Sequence, residues 1–270
     1  MKIIVIGARG FVGKSLYHHL SVQHQVIGIT RDTLDILNPI KVEDFLKANR
    51  YDVIINAAAS MADTNIVGNS TGIADTRNNL GLFMNFHNNR SLFGKFINLG
   101  SGAEFDRTRN IDSANPEDVF KAMPIDSYGF GQNMKSRICQ STDNFYTVRI
   151  FNCFGPGEMP TRLFPKYLKS EHFAISNDRY FDYFSIQDLC TVIDHCIDNT
   201  WPIKDVNAVY PTKYKISQVL DKFCTLNNLE PKFTVDSTSP NNYTGNGDPL
   251  NSLSIKLRGL EHGLQNYINK

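Results

Sequence analysis

A chain of 270 residues with 41% hydrophobic content can bury a full core, as one large domain or two unequal lobes. Its 28 basic and 27 acidic residues leave a net charge of +1, so no basic field argues for nucleic acid, and no apolar run is long enough to span a bilayer. Five cysteines, odd in number and without a Cys-x-x-Cys pair, fit free thiols in a reducing cytoplasm.

The first apolar run reads as a strand rather than a leader. Ile3-Ile4-Val5-Ile6 runs into Gly7-Ala8-Arg9-Gly10-Phe11-Val12-Gly13, and a helix is predicted over 15–20. Glycines spaced by three at that place predict a diphosphate cradle. Gly7 permits a tight turn, Gly10 lets phosphate approach the backbone, and Gly13 lets the helix pack on the strand. The N-terminal amides of that helix face the anion, and Phe11 and Val12 of the glycine motif are expected among the cofactor contacts.

A strand is predicted over 25–30, a helix over 42–48, an apolar strand over 52–55 and a helix over 79–88. A strand over 95–99, a helix over 128–140 and a strand over 146–151 follow. Apolar strands alternating with helices predict an α/β fold, a Rossmann-type doubly wound parallel sheet covered on both faces. The dinucleotide-binding domain is expected over 1–155. Pro156, Pro160 and Pro165 then interrupt the pattern, and 156–270 is expected to form a smaller substrate-binding lobe, with some segments returning to the sheet. The stretch 237–248, rich in Asn, Gly, Ser and Pro, is predicted to be a loop. The sequons Asn69-Ser70-Thr71 and Asn242-Tyr243-Thr244 are chance matches in a cytosolic protein.

NAD-selective sheets end the second strand with an acid that accepts hydrogen bonds from the adenine ribose. Here the strand ends at Thr30-Arg31, with no acid before Asp32. Thr30 and Arg31 suit a 2′-phosphate, and Arg9 offers a second guanidinium; the bland alternative is that both arginines are solvated charges. NADP(H) is the expected cofactor and NAD(H) the alternative.

With Gly7, Gly10 and Gly13 in place, the sequence resembles the extended short-chain dehydrogenase/reductases over nearly its whole length. That superfamily holds nucleotide-sugar epimerases, dehydratases and reductases. Thr33-Leu34-Asp35-Ile36 and Tyr51-Asp52-Val53-Ile54-Ile55-Asn56-Ala57-Ala58 are similar to its dTDP-4-dehydrorhamnose reductase branch. The resemblance implies adenine and ribose contacts at Asp35, Ile36, Asn56, Ala57 and Ala58, and a structural role for Asn78.

Gly100-Ser101-Gly102-Ala103-Glu104-Phe105 resembles the family's serine motif, and Pro124-Ile125-Asp126-Ser127-Tyr128-Gly129 the approach to its tyrosine. The likeness therefore puts the reactive hydroxyl on Ser101 and the proton-transferring phenol on Tyr128. One helical turn on, where the family has lysine, stands Gln132. A lysine there holds the nicotinamide ribose and favours the phenolate by its charge; an amide keeps the first role only. Carbonyl reduction needs a phenol that donates, and alcohol oxidation needs a phenolate that accepts. The substitution handicaps oxidation more than reduction. Lys135, on roughly the same helix face, either compensates or is simply solvated.

Arg149-Ile150-Phe151-Asn152-Cys153-Phe154-Gly155-Pro156 matches a family segment whose asparagine contacts the substrate diphosphate, a role that falls on Asn152. Lys166 either meets a phosphate or is merely exposed. Asp188, in a later matching segment, is expected to cap the next helix. Phe181 stands where the family has an arginine, with Arg179 displaced by two positions.

Absences narrow the reaction. Gly102-Ala103 replace the acidic pair of the family's dehydratases, and Ala103 replaces the cysteine of its epimerase-reductases. The expected function is NADPH-dependent reduction of a nucleotide-linked 4-keto-(deoxy) sugar, with Tyr128 as proton donor and Ser101 polarising the oxygen. The alternatives are a nucleotide-sugar epimerase and a degenerate dinucleotide-binding protein. The resemblance further implies a homodimer through the helices from Asn79 and Tyr128. Neither membrane nor nucleic acid is an expected partner. The seven histidines show no metal-ligand spacing, and His18-His19 is expected on a surface helix.

Overall fold

The computed structural model describes residues 1–59 and 70–268. Asn69 of the first sequon lies outside them. The opening strand β1 (Lys2–Ile6) is buried on both faces because every residue from Ile3 onward is apolar. Ile3 and Val5 share a core with Leu16 and Leu20 of α1 (Phe11–Leu20); Ile4 and Ile6 share another with Val42 and Leu46 of α2 (Pro39–Lys47). Burial on both sides is what a central parallel strand demands.

The alternation continues through β2 (Gln25–Ile29), β3 (Tyr51–Asn56), α3 (Ser70–Asn88) and β4 (Phe93–Ser101). After it come β5 (Ile111–Ala114), α4 (Ser127–Gln140), β6 (Phe145–Ile150) and β7 (Cys153–Phe154). The later part of the chain forms α5 (Leu163–Lys169), β8 (Phe173–Ile175), β9 (Phe184–Ser185), α6 (Ile186–Asp198) and β10 (Asp205–Ala208). It ends with α7 (Ile216–Leu226), β11 (Phe233–Val235), β12 (Tyr243–Gly245), α8 (Asp248–Ser252) and α9 (Leu260–Gln265).

Six strands form one parallel sheet in the order β10-β6-β4-β3-β1-β2. The doubly wound architecture expected from the sequence is present, and the order reverses between β1 and β3, where such sheets open a crevice. β10 returns from the late part of the chain to the sheet edge beside β6. Nearby, α6 docks on α1 through His19, whose ring nitrogen lies 2.6 Å from the Asp194 carboxylate. Lys95 on β4 donates to the carbonyls of Cys196, Ile197 and Asn199, placing a cation on the C-terminal end of α6.

Boundaries differ from the sequence reading where a cap decides them. α1 starts at Phe11 rather than 15, because the extended backbone of Gly10 turns straight into helix. α2 starts at Pro39 rather than 42: the Asn38 side chain accepts from the amides of Ile40 and Lys41, and proline suits the first turn. α3 reaches back to Ser70, where too few apolar residues occur for periodicity to register. Within the predicted loop 237–248 lies β12, a correction. Its strand character comes from pairing with β5 rather than from its own composition.

On the face that carries Phe96 and Phe145, Asn56, Asn98, Thr147 and Asp205 sit side by side in register across β3, β4, β6 and β10. The next step of the same face brings Gly100, Arg149 and Asn207 into line. Toward its C-terminal edge this face is therefore polar, and α4 packs over it. All five cysteines are buried free thiols. No helix among the described residues is long and apolar enough to cross a membrane.

Candidate active site

A cleft of about 660 Å³ opens at the C-terminal ends of β1, β2 and β3. Gly7, Arg9, Gly10, Thr30, Arg31, Asp35, Ile36, Ala57 and Ala58 line it, so nine of the sequence-predicted cofactor residues meet around one space. Leu34, Leu37 and Leu82 add apolar wall that sequence reasoning missed, and Asn78 also lines the cleft.

The three glycines do different work. Gly7 has φ +82, and a Cβ there would press on the Ala57–Ala58 backbone at 2.9 Å. A Cβ on Gly13 would come within 2.2 Å of the Gly7 carbonyl oxygen, so this glycine lets α1 sit on the loop. Gly10 is different: a Cβ would find only the Gly7 oxygen at 3.4 Å and would otherwise project into open space. No side chain caps α1 at Gly10, which leaves the opening amides available to an anion. The cradle thus fits a dinucleotide diphosphate.

Phe11, Val12 and Gly13 form the first turn of α1 behind this loop rather than the cleft wall. Asn56 also stands behind it. Its Nδ2 donates to Asn98 Oδ1 at 3.0 Å and its Oδ1 accepts from the Ala58 amide at 3.3 Å, so its side chain shapes the loop that lines the cleft. Arg9 pairs with Asp32 across the mouth, both well exposed. Arg31 is exposed beside them.

The two hydroxyls expected to react, those of Ser101 and Tyr128, come from the next strand end and the helix that packs against it. Ser101 closes β4 and caps a 3-10 turn, Gly102–Phe105. Its Oγ accepts from the Ala103 amide at 3.2 Å, and its own amide donates to Glu104 Oε1 at 2.8 Å. Tyr128 is the second residue of α4, whose first turn lies against that 3-10 turn. A Cβ on Gly129 would meet the Ala103 oxygen at 2.5 Å, so glycine permits the approach. Asp126 caps α4 by accepting from the Gly129 amide at 2.8 Å.

Two neighbours of this pair escaped the sequence reading. Arg107 donates to Asp126 Oδ1 at 2.9 Å, and its guanidinium carbon lies 6.0 Å from the centre of the Tyr128 ring. Tyr243, brought in by β12, sets its hydroxyl where a Cβ on Gly102 would be only 2.7 Å away. Burial raises the Tyr243 phenol; Arg107 and the hydrogen-bonding Ser101 hydroxyl oppose that rise, whereas Tyr128 adds to it. Ser101, Arg107, Tyr128 and Tyr243 therefore share one neighbourhood.

Gln132 is 2% exposed and its Oε1 has no hydrogen-bond partner. Lys135 is not a solvated residue: α4 turns it onto the sheet, where it is fully buried. The expectation for Asp188 also needs correction. Ser185 caps α6, its Oγ accepting from the Asp188 amide at 3.1 Å. The Asp188 carboxylate instead accepts from Tyr210 Oη at 2.6 Å and from the Arg258 and Gly259 amides at 2.8 and 2.9 Å, tying the C-terminal segment down.

Just past β6, Asn152 is buried and its carbonyl accepts from the Phe184 amide at 2.9 Å. Lys166 is exposed, with its ammonium 5.8 Å from the Phe173 ring centre. Among the described residues no cluster of His, Cys, Asp and Glu could hold a metal ion.

A family model described as the NAD dependent epimerase/dehydratase family matches residues 3–208. GDP-6-deoxy-D-talose 4-dehydrogenase from Aggregatibacter actinomycetemcomitans is 24% identical over 241 residues, covering 84% of this chain and 80% of that protein. The crystal structure of a dTDP-4-dehydrorhamnose reductase from Clostridium acetobutylicum superposes with a TM-score of 0.84 at 18% identity, covering 100% of this chain and 99% of that one. GDP-mannoheptose C4 reductase from Campylobacter jejuni, solved with NADP bound, gives 0.83 at 18% identity over 99% and 97% of the two chains.

Proposed function

The chain belongs to the NAD dependent epimerase/dehydratase family, and from that premise we propose that it is an NADP(H)-dependent reductase of a nucleotide-linked 4-keto-(deoxy) sugar. The observation that carries this reading is the serine–tyrosine pair at the sheet's C-terminal edge, with a buried neutral amide, Gln132, one turn below the phenol.

Gly7 and Gly10 hold the dinucleotide diphosphate against the start of α1, and Ala57, Ala58 and Leu34 wall the adenosine. Thr30, Arg31 and Arg9 line the cleft and would supply donors to a 2′-phosphate, Arg9 by turning from Asp32 to it, and this supports NADP(H) over NAD(H). Bound NADPH supplies the hydride. Ser101 polarises the carbonyl oxygen and Tyr128 delivers the proton to it. Gln132 keeps a hydrogen-bonding amide beneath the phenol without a charge that would favour the phenolate. Gly102 and Ala103 offer neither acid nor base, so elimination of water has no agent. The segment around Asn152, just past β6, meets the nucleotide diphosphate of the sugar.

The talose relative is named for the opposite direction of hydride transfer at the same carbon type; here the neutral amide favours a phenol that donates its proton over a phenolate that accepts one. The test is NADPH consumption with a panel of GDP- and dTDP-linked 4-keto-6-deoxy sugars. Stoichiometric oxidation of NADPH with at least one of them is expected. Interconversion of sugars without net cofactor loss would instead mean epimerisation, and tight NADPH binding without turnover would mean a binding protein.

A further inference from the structure

Lys135 lies under α4 on the polar face of the sheet, and its Nζ has no hydrogen-bond partner. Gln132 Oε1, Ser136 Oγ, Asn98 Nδ2 and Asp205 Oδ1 share that condition in the same layer. A lysine is rarely buried without a counter-charge. Here four buried charges balance: Lys135 and Arg149 against Glu104 and Asp205. Arg149 spans both acids, at 2.7 Å from Glu104 and 2.6 Å from Asp205. Alone, it would leave one negative charge in excess beneath the helix.

Glu104 comes from the 3-10 turn and is the strongest charge acting on Lys135, with Cys139 of its own helix next. Arg149 on β6 and Asp205 on β10 join the layer through Glu104 and through Cys139. On α3, His87 sits at the far end of α4, beside Thr142.

Glu104 divides its oxygens between two tasks. Oε2 takes Arg149, and Oε1 accepts the Ser101 amide, closing the capping box that shapes the turn behind Ser101. We propose that Lys135 is a positioning residue of the active site: its buried ammonium balances Glu104 and holds that carboxylate on the Ser101 amide, fixing the backbone that presents the Ser101 hydroxyl. The functional part of this rests on the reading of Ser101 as the group that polarises the carbonyl.

Burial pushes the Lys135 ammonium down to about 8 from an ordinary 10.5. Between those values the folded chain binds fewer protons than the unfolded one. Its contribution to stability therefore rises with pH across that window, while its hold on Glu104 is released.

Hydrogen exchange at the Ser101 amide, corrected for intrinsic rate and followed from about pH 6 to about pH 10, tests the coupling without any substrate. Protection in the wild-type chain should hold to about pH 8 and then fall about tenfold. Lys135→Met should show the lower protection throughout and no step, and Glu104→Gln should lose the step as well. The wild-type arm needs no substitution, so it stands even if a variant folds poorly. Unchanged Ser101 protection in Lys135→Met, or no step in the wild type, overturns the proposal. In turnover, kcat of the wild type is expected to fall as pH rises through about 8, and that fall should be absent in Lys135→Met with the cofactor KM unchanged. A merely structural lysine would alter stability and leave that profile in place. If no keto sugar is reduced while the Ser101 step is present, the reductase reading fails and the coupling survives.

Discussion

The two ends of the candidate site are built by different means. The dinucleotide end rests on backbone where the diphosphate would lie: Gly7, Gly10 and the Ala57–Ala58 loop present main chain to the cleft, and larger side chains such as Arg9, Arg31, Leu34 and Leu82 stand around it. The reacting end consists of side chains, Ser101, Arg107, Tyr128 and Tyr243, delivered by a strand end, a turn, a helix start and a late strand. A backbone site is broken by adding atoms, and a side-chain site by deleting them. The contrast also explains which end tolerates a change of chemistry, since Gln132 alters the reacting end without touching the cradle.

The largest expected effect falls on the reacting end. Tyr128→Phe should lower kcat by about 10²–10⁴-fold, the usual worth of a positioned proton donor, while calorimetry finds NADPH affinity unchanged. Gly13→Val should do the reverse. Its Cβ would enter the Gly7 carbonyl at 2.2 Å, so affinity should fall by about a hundredfold, or about 2.7 kcal/mol. If the two variants lose both properties together, the separation of the two ends is wrong.

A smaller effect is expected from Arg107→Ala, which removes the guanidinium 6.0 Å from the Tyr128 ring. Steady-state kcat should drop about tenfold, about 1.4 kcal/mol, with the cofactor KM unchanged and Arg107→Lys recovering much of the loss.

The smallest effect lies outside both ends. Burial raises the Glu158 carboxyl to about 7, and Tyr267 Oη donates to it at 2.8 Å. Its folded value exceeds its ordinary 4.5, so the stability it contributes is present below that value and is lost as pH rises through about 7. Glu158→Gln should therefore raise Tm by about 2–4 °C above neutral pH and by little under acid conditions, as thermal scans at two pH values would read.

The sequence was most legible where function is contiguous. Gly7, Gly10 and Gly13 reveal the cradle because their spacing is fixed by one loop, and β1 is plain because both of its faces are apolar. Arg107 and Tyr243 stayed hidden because each gains meaning from a neighbour far away in the chain. Tyr243 also sits in a stretch whose Asn, Gly and Ser content reads as loop until β5 pairs with it. Asp188 was misread for a related reason: Ser185, three residues earlier, already caps the helix, which frees the carboxylate for the C-terminal segment. Lys135 shows the limit of helical spacing, which gives the face of α4 but not that this face lies on buried charge.

The measurement that bears most directly on the central claim is single-turnover hydride transfer in both directions, in the wild type and in Gln132→Lys. Reduction should change little, whereas oxidation of the matching alcohol should accelerate once a cation stands beneath the phenol. A large gain in reduction, or no gain in oxidation, would contradict it.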